Sequence, residues 1–297
     1  MKICTLCPRM CAVDRKSGER GICGQTDEIK VARAALHFWE EPCISGEKGS
    51  GAVFFSGCAL HCVFCQNENI ANGTAGKVIS TARLCEIFLE LQEKGANNIN
   101  LVTPGQFAPQ IIKAVELARD QNLTIPIVYN TSSYENVDTI RSLEGIVDIY
   151  LPDFKYQDAA LSAKYSHAPD YPSVAKEAIK EMVRQTGEAV FENGEDSLMK
   201  RGTIVRHLIL PGCTKDSKAV LSYLHETYGN EIYISIMHQF TPLSNVKKYP
   251  ELNRRITERE YNEVVDFAID IGIENGFIQD GETAEESFIP EFDNEGV

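Results

Sequence analysis

The feature that most restricts this chain is a three-cysteine loop, Gly57-Cys58-Ala59-Leu60-His61-Cys62-Val63-Phe64-Cys65, with the spacing Cys-x3-Cys-x2-Cys. It follows the apolar run Ala52–Phe55, closed by Ser56-Gly57, so it reads as the loop leaving the C-terminal end of a strand. Three thiolates from one loop can hold three irons of a [4Fe–4S] cluster, whose irons normally take a cysteine each. A missing fourth ligand leaves one iron open, and an open position is what a reactive metal site needs. The amine and carboxylate of an amino acid could chelate that iron. Gly57 reads as allowing close backbone approach to the cluster, and Phe64 as an apolar shield between the second and third ligands. The rival reading is a zinc loop that takes His61 as its fourth ligand.

Eight of the ten cysteines lie in the first 65 residues. In a reducing compartment, clustered cysteines bind metal or do redox chemistry more often than they form disulfides. Cys4-x2-Cys7-x3-Cys11, followed after eleven residues by Cys23, matches a four-thiolate site for zinc or a second cluster. Gly18, Gly21 and Gly24 would let so short a segment turn around a metal, which would supply folding energy that its apolar burial lacks. The alternative is a set of free thiols. Cys43 reads as a buried thiol and Cys85 as a core residue of a helix; Cys213 follows Pro211-Gly212, where a strand ends, and is a candidate hydrogen-donating thiol.

Beyond residue 50, strand-like and helix-like segments alternate. Leu84, Ile87, Phe88 and Leu91 repeat at i, i+3, i+4 and i+7 in a helix opened by Thr81 and ended at Gly95. Strands are expected near 98–102, 125–129, 146–151, 204–210 and 232–237, and helices near 108–122, 135–143, 173–185, 218–228 and 258–271. Asn193-Gly194 reads as a hairpin turn, and Thr257 with Glu260 as a capping box. About six largely apolar strands separated by helices imply an α/β fold with a buried parallel sheet. A partial (β/α)6 barrel and a doubly wound open sheet both fit this pattern. The expected organisation is a cysteine-rich metal-binding module over 1–50, the α/β unit over 51–280 and a poorly ordered acidic tail over 281–297.

A formal net charge of −14 argues against nucleic acid and membrane surfaces as partners, both being polyanions. The opening MKICTLCPRMC lacks the continuous apolar segment of a secretory signal, so the expected compartment is the cytoplasm.

The stretch CALHCVFC resembles the signature of the radical S-adenosylmethionine superfamily. His37–Gly46, Phe54–Cys58, Leu151–Lys155 and Arg206–Gly212 are similar to proteins of its pyruvate formate-lyase activating enzyme-like subgroup. The resemblance covers nearly the whole chain and implies a partial TIM-like (β/α)6 barrel. It also implies an oxidoreductase chemistry: a reduced [4Fe–4S] cluster on Cys58, Cys62 and Cys65 cleaves S-adenosylmethionine to methionine and a 5′-deoxyadenosyl radical, which abstracts a substrate hydrogen. A reductant such as flavodoxin or ferredoxin and a partner protein as substrate follow from it. The readings carried forward are a glycyl-radical-enzyme activase, a radical enzyme modifying a small molecule or peptide, and, from another class, a non-catalytic zinc-binding interaction protein.

Ligands of parallel α/β folds sit at the C-terminal ends of the strands, which makes the residues there candidates for holding the cofactor. Thr103 and Gly105 end the second strand, where superfamily members often carry a Gly-Gly-Glu-Pro-like stretch and this chain has no acid. Asn130 ends the third, and Asp153 and Lys155 the fourth. Arg206 lies on the fifth and must meet a carboxylate, of the cofactor or of the protein, because an unpaired buried cation is costly. His238 ends the sixth.

Overall fold

The computed structural model describes residues 3–192, 197–278 and 290–297. The strands are β1 (Ile29–His37), β2 (Ser50–Phe55), β3 (Lys77–Ile79), β4 (Ile99–Val102), β5 (Ile127–Thr131), β6 (Ile149–Pro152), β7 (Val190–Phe191), β8 (Met199–Leu208), β9 (Tyr233–Met237) and β10 (Gly276–Ile278). They form a sheet in the order β10-β9-β8-β6-β5-β4-β2-β1-β3, with β7 paired beside β8. From β2 to β10 the ladder is parallel.

The order rises steadily along the parallel part and never reverses. With right-handed crossovers, steady winding keeps the helices on one face and curls the sheet, whereas a doubly wound sheet needs a switch point. The structure is therefore the partial, TIM-like barrel. Helix Thr81–Glu93 buries Leu84, Ile87, Phe88 and Leu91, the stripe read from periodicity. These side chains share one core with Ile111, Val115 and Ala118 of helix Ala108–Asp120. Burying a side chain of this size is worth about 1.5–3 kcal/mol. The capping box of helix Glu258–Asp270 is present: Thr257 accepts from the Glu260 N–H, and Glu260 from the Thr257 N–H.

Two boundaries differ from the sequence expectation. Strand β1 pairs antiparallel with β2 from Val31 to His37, so residues 29–37 belong to the sheet and the cysteine-rich segment stops before Ile29. The described end of the chain is docked on β1 and is not a loose tail. Ala34 N–H donates to Glu295 O and Asn294 N–H to Ala32 O, Arg33 pairs with Asp293 and Glu295, and Phe292 packs against Phe54. The Asn193-Gly194 turn and residues 281–289 lie outside the described residues. Among the described residues no helix is long and apolar enough to cross a membrane.

Candidate iron–sulfur and cofactor site

Strand β2 is buried throughout and delivers the loop of Cys58, Cys62 and Cys65 to the C-terminal end of the parallel strands. Gly57 has φ +89°, and a Cβ there would sit 2.5 Å from Cys23 O and from Gln25 Cγ. The N-terminal segment packing against the loop therefore requires a glycine here. Phe64 packs between the rings of Tyr156 and Phe240. His61 also lines the cavity of the three cysteines, and its Nε2 lies 2.9 Å from Ile22 O.

The three thiols of the loop line one cavity of about 250 Å³. Each sulfur has a donor aimed at it. Leu60 N–H lies 3.4 Å from Cys58 Sγ, Ser166 Oγ lies 3.1 Å from Cys62 Sγ, and the Asn67 N–H bonds to Cys65. Burial pushes the thiols of Cys62 and Cys65 up to about 11 and about 12. A cationic metal reverses that preference, since thiolate is the ligand form.

Thr103, Asn130, Asp153, Lys155 and Arg206 line the same cavity. Arg206 spends its guanidinium on protein partners: Nε on Asp153 Oδ1 at 2.9 Å, Nη1 on Glu40 Oε2 at 3.0 Å and Nη2 on Asn130 Oδ1 at 2.7 Å. The carboxylates it was expected to meet are those of the protein. Lys155 Nζ donates to Asp153 Oδ2 at 2.7 Å. Burial raises the carboxyl of Asp153, but Arg206 and Lys155 outweigh it and hold that group below its ordinary value. At Glu40 burial prevails over Arg206 and the shift is upward.

Two candidates lie elsewhere. His238 does not line the cavity; its ring meets Tyr261 edge-on at 4.7 Å. Gly105 is turned toward Glu135, whose carboxylate a Cβ would strike at 2.5 Å, and it lines a smaller neighbouring cavity. Cys85 is buried in the core as expected, and Cys213 lies outside the main cavity, at the start of helix Thr214–Tyr228.

Sequence reasoning missed Glu40, although it sits inside the quoted stretch His37–Gly46, because one acid in a polar run carries no periodic signal. It also missed Gln106. That side chain is buried and donates from Nε2 to Ser56 O, Gly57 O and Thr103 O, tying the ends of β2 and β4 together. Beside it Thr103 has φ +56°, a left-handed conformation rare for a β-branched residue and typical of strained sites.

Among the described residues no three His, Cys, Asp or Glu side chains stand in the arrangement of a single-ion site. The donor set of the main cavity fits a different group. Its three soft thiols suit an iron–sulfur cluster, and its polar side chains of both charges suit a zwitterionic ligand.

Residues 44–167 match the family described as 4Fe-4S single cluster domain. The match bears out the expectation of a [4Fe–4S] cluster. An uncharacterized protein of Methanocaldococcus jannaschii is 27% identical over 278 residues, 90% of this chain and 74% of that protein. Among solved structures, SuiB of Streptococcus suis bound to S-adenosylmethionine shares 12% identity at a TM-score of 0.48 over 75% of this chain. This chain spans 48% of SuiB. A domain of pyruvate-formate lyase-activating enzyme from Bacteroides vulgatus is also similar, with 12% identity and a TM-score of 0.39 over 60% of this chain and 91% of that one.

Proposed function

We propose, from the 4Fe-4S single cluster domain that residues 44–167 carry, that this chain is a radical S-adenosylmethionine enzyme with its cluster on Cys58, Cys62 and Cys65. The observation that carries the reading is the one cavity lined both by the three thiols and by the Asn130, Asp153, Lys155 and Arg206 array. Bound there, a reduced cluster would supply the electron for reductive cleavage of S-adenosylmethionine.

The protein's share is binding and orientation. An ammonium has three donors, and Lys155 uses one on Asp153, so two remain for the carboxylate of the sulfonium ligand. Asp153 stays ionised and keeps lone pairs for ribose hydroxyls. Arg206 and Glu40 are positioning residues: they fix Asp153 and Asn130 and leave the ligand to their neighbours. Phe64, buried against Tyr156 and Phe240, keeps water from the loop.

The test is anaerobic reconstitution with iron and sulfide, then a dithionite-driven assay for 5′-deoxyadenosine. The reading expects the nucleoside to form, and it expects added S-adenosylmethionine to alter the spectrum of the oxidised cluster. A cluster-loaded protein that does neither removes the proposal. Stimulation of nucleoside formation by a protein partner supports an activase, and stimulation by a metabolite or peptide supports the other substrate class.

A further inference from the structure

The second cavity lies behind Cys58 and holds about 20 Å³. It is lined by Cys4, Cys7, Cys11 and Cys23, brought together from both ends of a 20-residue segment. A Cβ on Gly21 would touch two of the thiols, at 3.3 Å from Cys11 Sγ and 3.4 Å from Cys23 Sγ. The turn that gathers them is unusual. Met10 and Ala12 both have positive φ, with Met10 N–H bonded to Cys7 O and Ala12 N–H to Cys4 O. Neither residue type adopts that conformation freely.

Two further observations point to a ligand. The first is that all four cysteines are free and line this one small cavity, with the sulfurs of Cys11 and Cys23 both within 3.4 Å of a single point, the Cβ position of Gly21.

The second observation is Arg15, 5% exposed against the same cavity. It donates to Thr26 O and Gln106 O and points Nη1 at Cys4 Sγ from 3.9 Å. Among the described residues it forms no ion pair with a carboxylate. A buried guanidinium needs negative charge nearby, and a four-thiolate metal site provides it.

We propose that Cys4, Cys7, Cys11 and Cys23 hold a second metal centre, bound through thiolates alone and separate from the Cys58 loop. Soft thiolates select a thiophilic group, and because no three donors stand around a single ion among the described residues, the occupant is an iron–sulfur cluster. The two centres would be close neighbours, because Cys58, Thr103, Thr131 and Ser132 line both cavities.

The decisive protein is the full chain with Cys58→Ala, Cys62→Ala and Cys65→Ala together, loaded anaerobically with zinc or with iron and sulfide, then desalted and counted. The proposal expects about four irons with matching sulfide to stay on each chain. Retention of no iron and sulfide by the folded variant, or of zinc alone, overturns the proposal, whatever the fate of the radical chemistry. Should the triple variant not fold, Cys7→Ser with Cys23→Ser in the otherwise native chain decides. It is expected to lose that same complement while keeping the iron spectrum of the Cys58 loop, and a metal count equal to the native chain overturns the inference.

Discussion

Arg206 on β8 donates through Nη1 to Glu40 Oε2 at 3.0 Å, joining a central strand of the barrel to the segment that follows β1. Both groups are largely buried, with side-chain exposures of 14% and 9%. Truncating one partner of such a pair strands the other's charge, a loss of about 3–5 kcal/mol. Arg206→Met is therefore expected to lower the chemical-denaturation midpoint sharply. Glu40→Gln keeps an acceptor for the guanidinium and is expected to cost only about 1–3 kcal/mol. Equal losses in the two variants, measured by urea unfolding, contradict this account of the network.

Removing any one of Cys58, Cys62 and Cys65 is expected to abolish 5′-deoxyadenosine formation while the barrel still folds, since the three thiols line a cavity and none fills a core position. The check pairs the nucleoside assay with circular dichroism. Nucleoside from the Cys62→Ala protein at more than trace level is incompatible with the proposed ligand set.

Gly57→Ala and Gly229→Ala make a matched pair. Both glycines have positive φ, but a Cβ at position 57 meets Cys23 O at 2.5 Å while one at 229 meets nothing within 4 Å. The shared backbone cost is about 1–2 kcal/mol, and overpacking adds about 1–3 kcal/mol at Gly57 only. Gly57→Ala is thus expected to be the less stable protein and to bind less iron at saturation. Indistinguishable midpoints and iron counts contradict the close packing of the loop on the N-terminal segment.

His207 sets an acid limit. Its Nδ1 lies 2.8 Å from Phe154 O, and burial pushes the imidazole down to about 4. Between pH 4 and the ordinary histidine value of 6.5 the unfolded chain binds a proton here that the folded chain does not. Stability from this group is therefore present above pH 6.5 and is lost as pH falls toward 4, by about 3 kcal/mol in all. His207→Gln is expected to flatten the stability–pH curve in that window. An unchanged slope in the variant assigns the acid sensitivity to other groups.

Much of the barrel was legible because its helices bury one stripe and its strands are apolar on both faces. Helix Thr81–Glu93 and the Thr257–Glu260 box lie where periodicity and capping chemistry put them. Strand β1 was not found, because the cysteines before it drew the module boundary past a strand whose sequence, Ile-Lys-Val-Ala-Arg-Ala-Ala-Leu-His, alternates poorly. In the site, the three cysteines of one loop could be grouped by spacing alone. Grouping Arg206 with Glu40 required knowing which strands are neighbours. The placements of His238 and Gly105 failed for a related reason: a strand end narrows a side chain's position to a rim but does not say which way it faces. The strain at Thr103 has no sequence signal, since nothing local distinguishes that threonine from one in an ordinary strand.

The steady strand order leaves the sheet with two ends, β10 and β3, and not a ring. The wall of the main cavity is consequently part strand and part loop. Loops tolerate insertion and deletion at little cost because few ladder hydrogen bonds cross them. The gape of the mouth can therefore change with loop length while the thiols and the Arg206 network keep their places, so the size of molecule such a cavity admits is set by its loops.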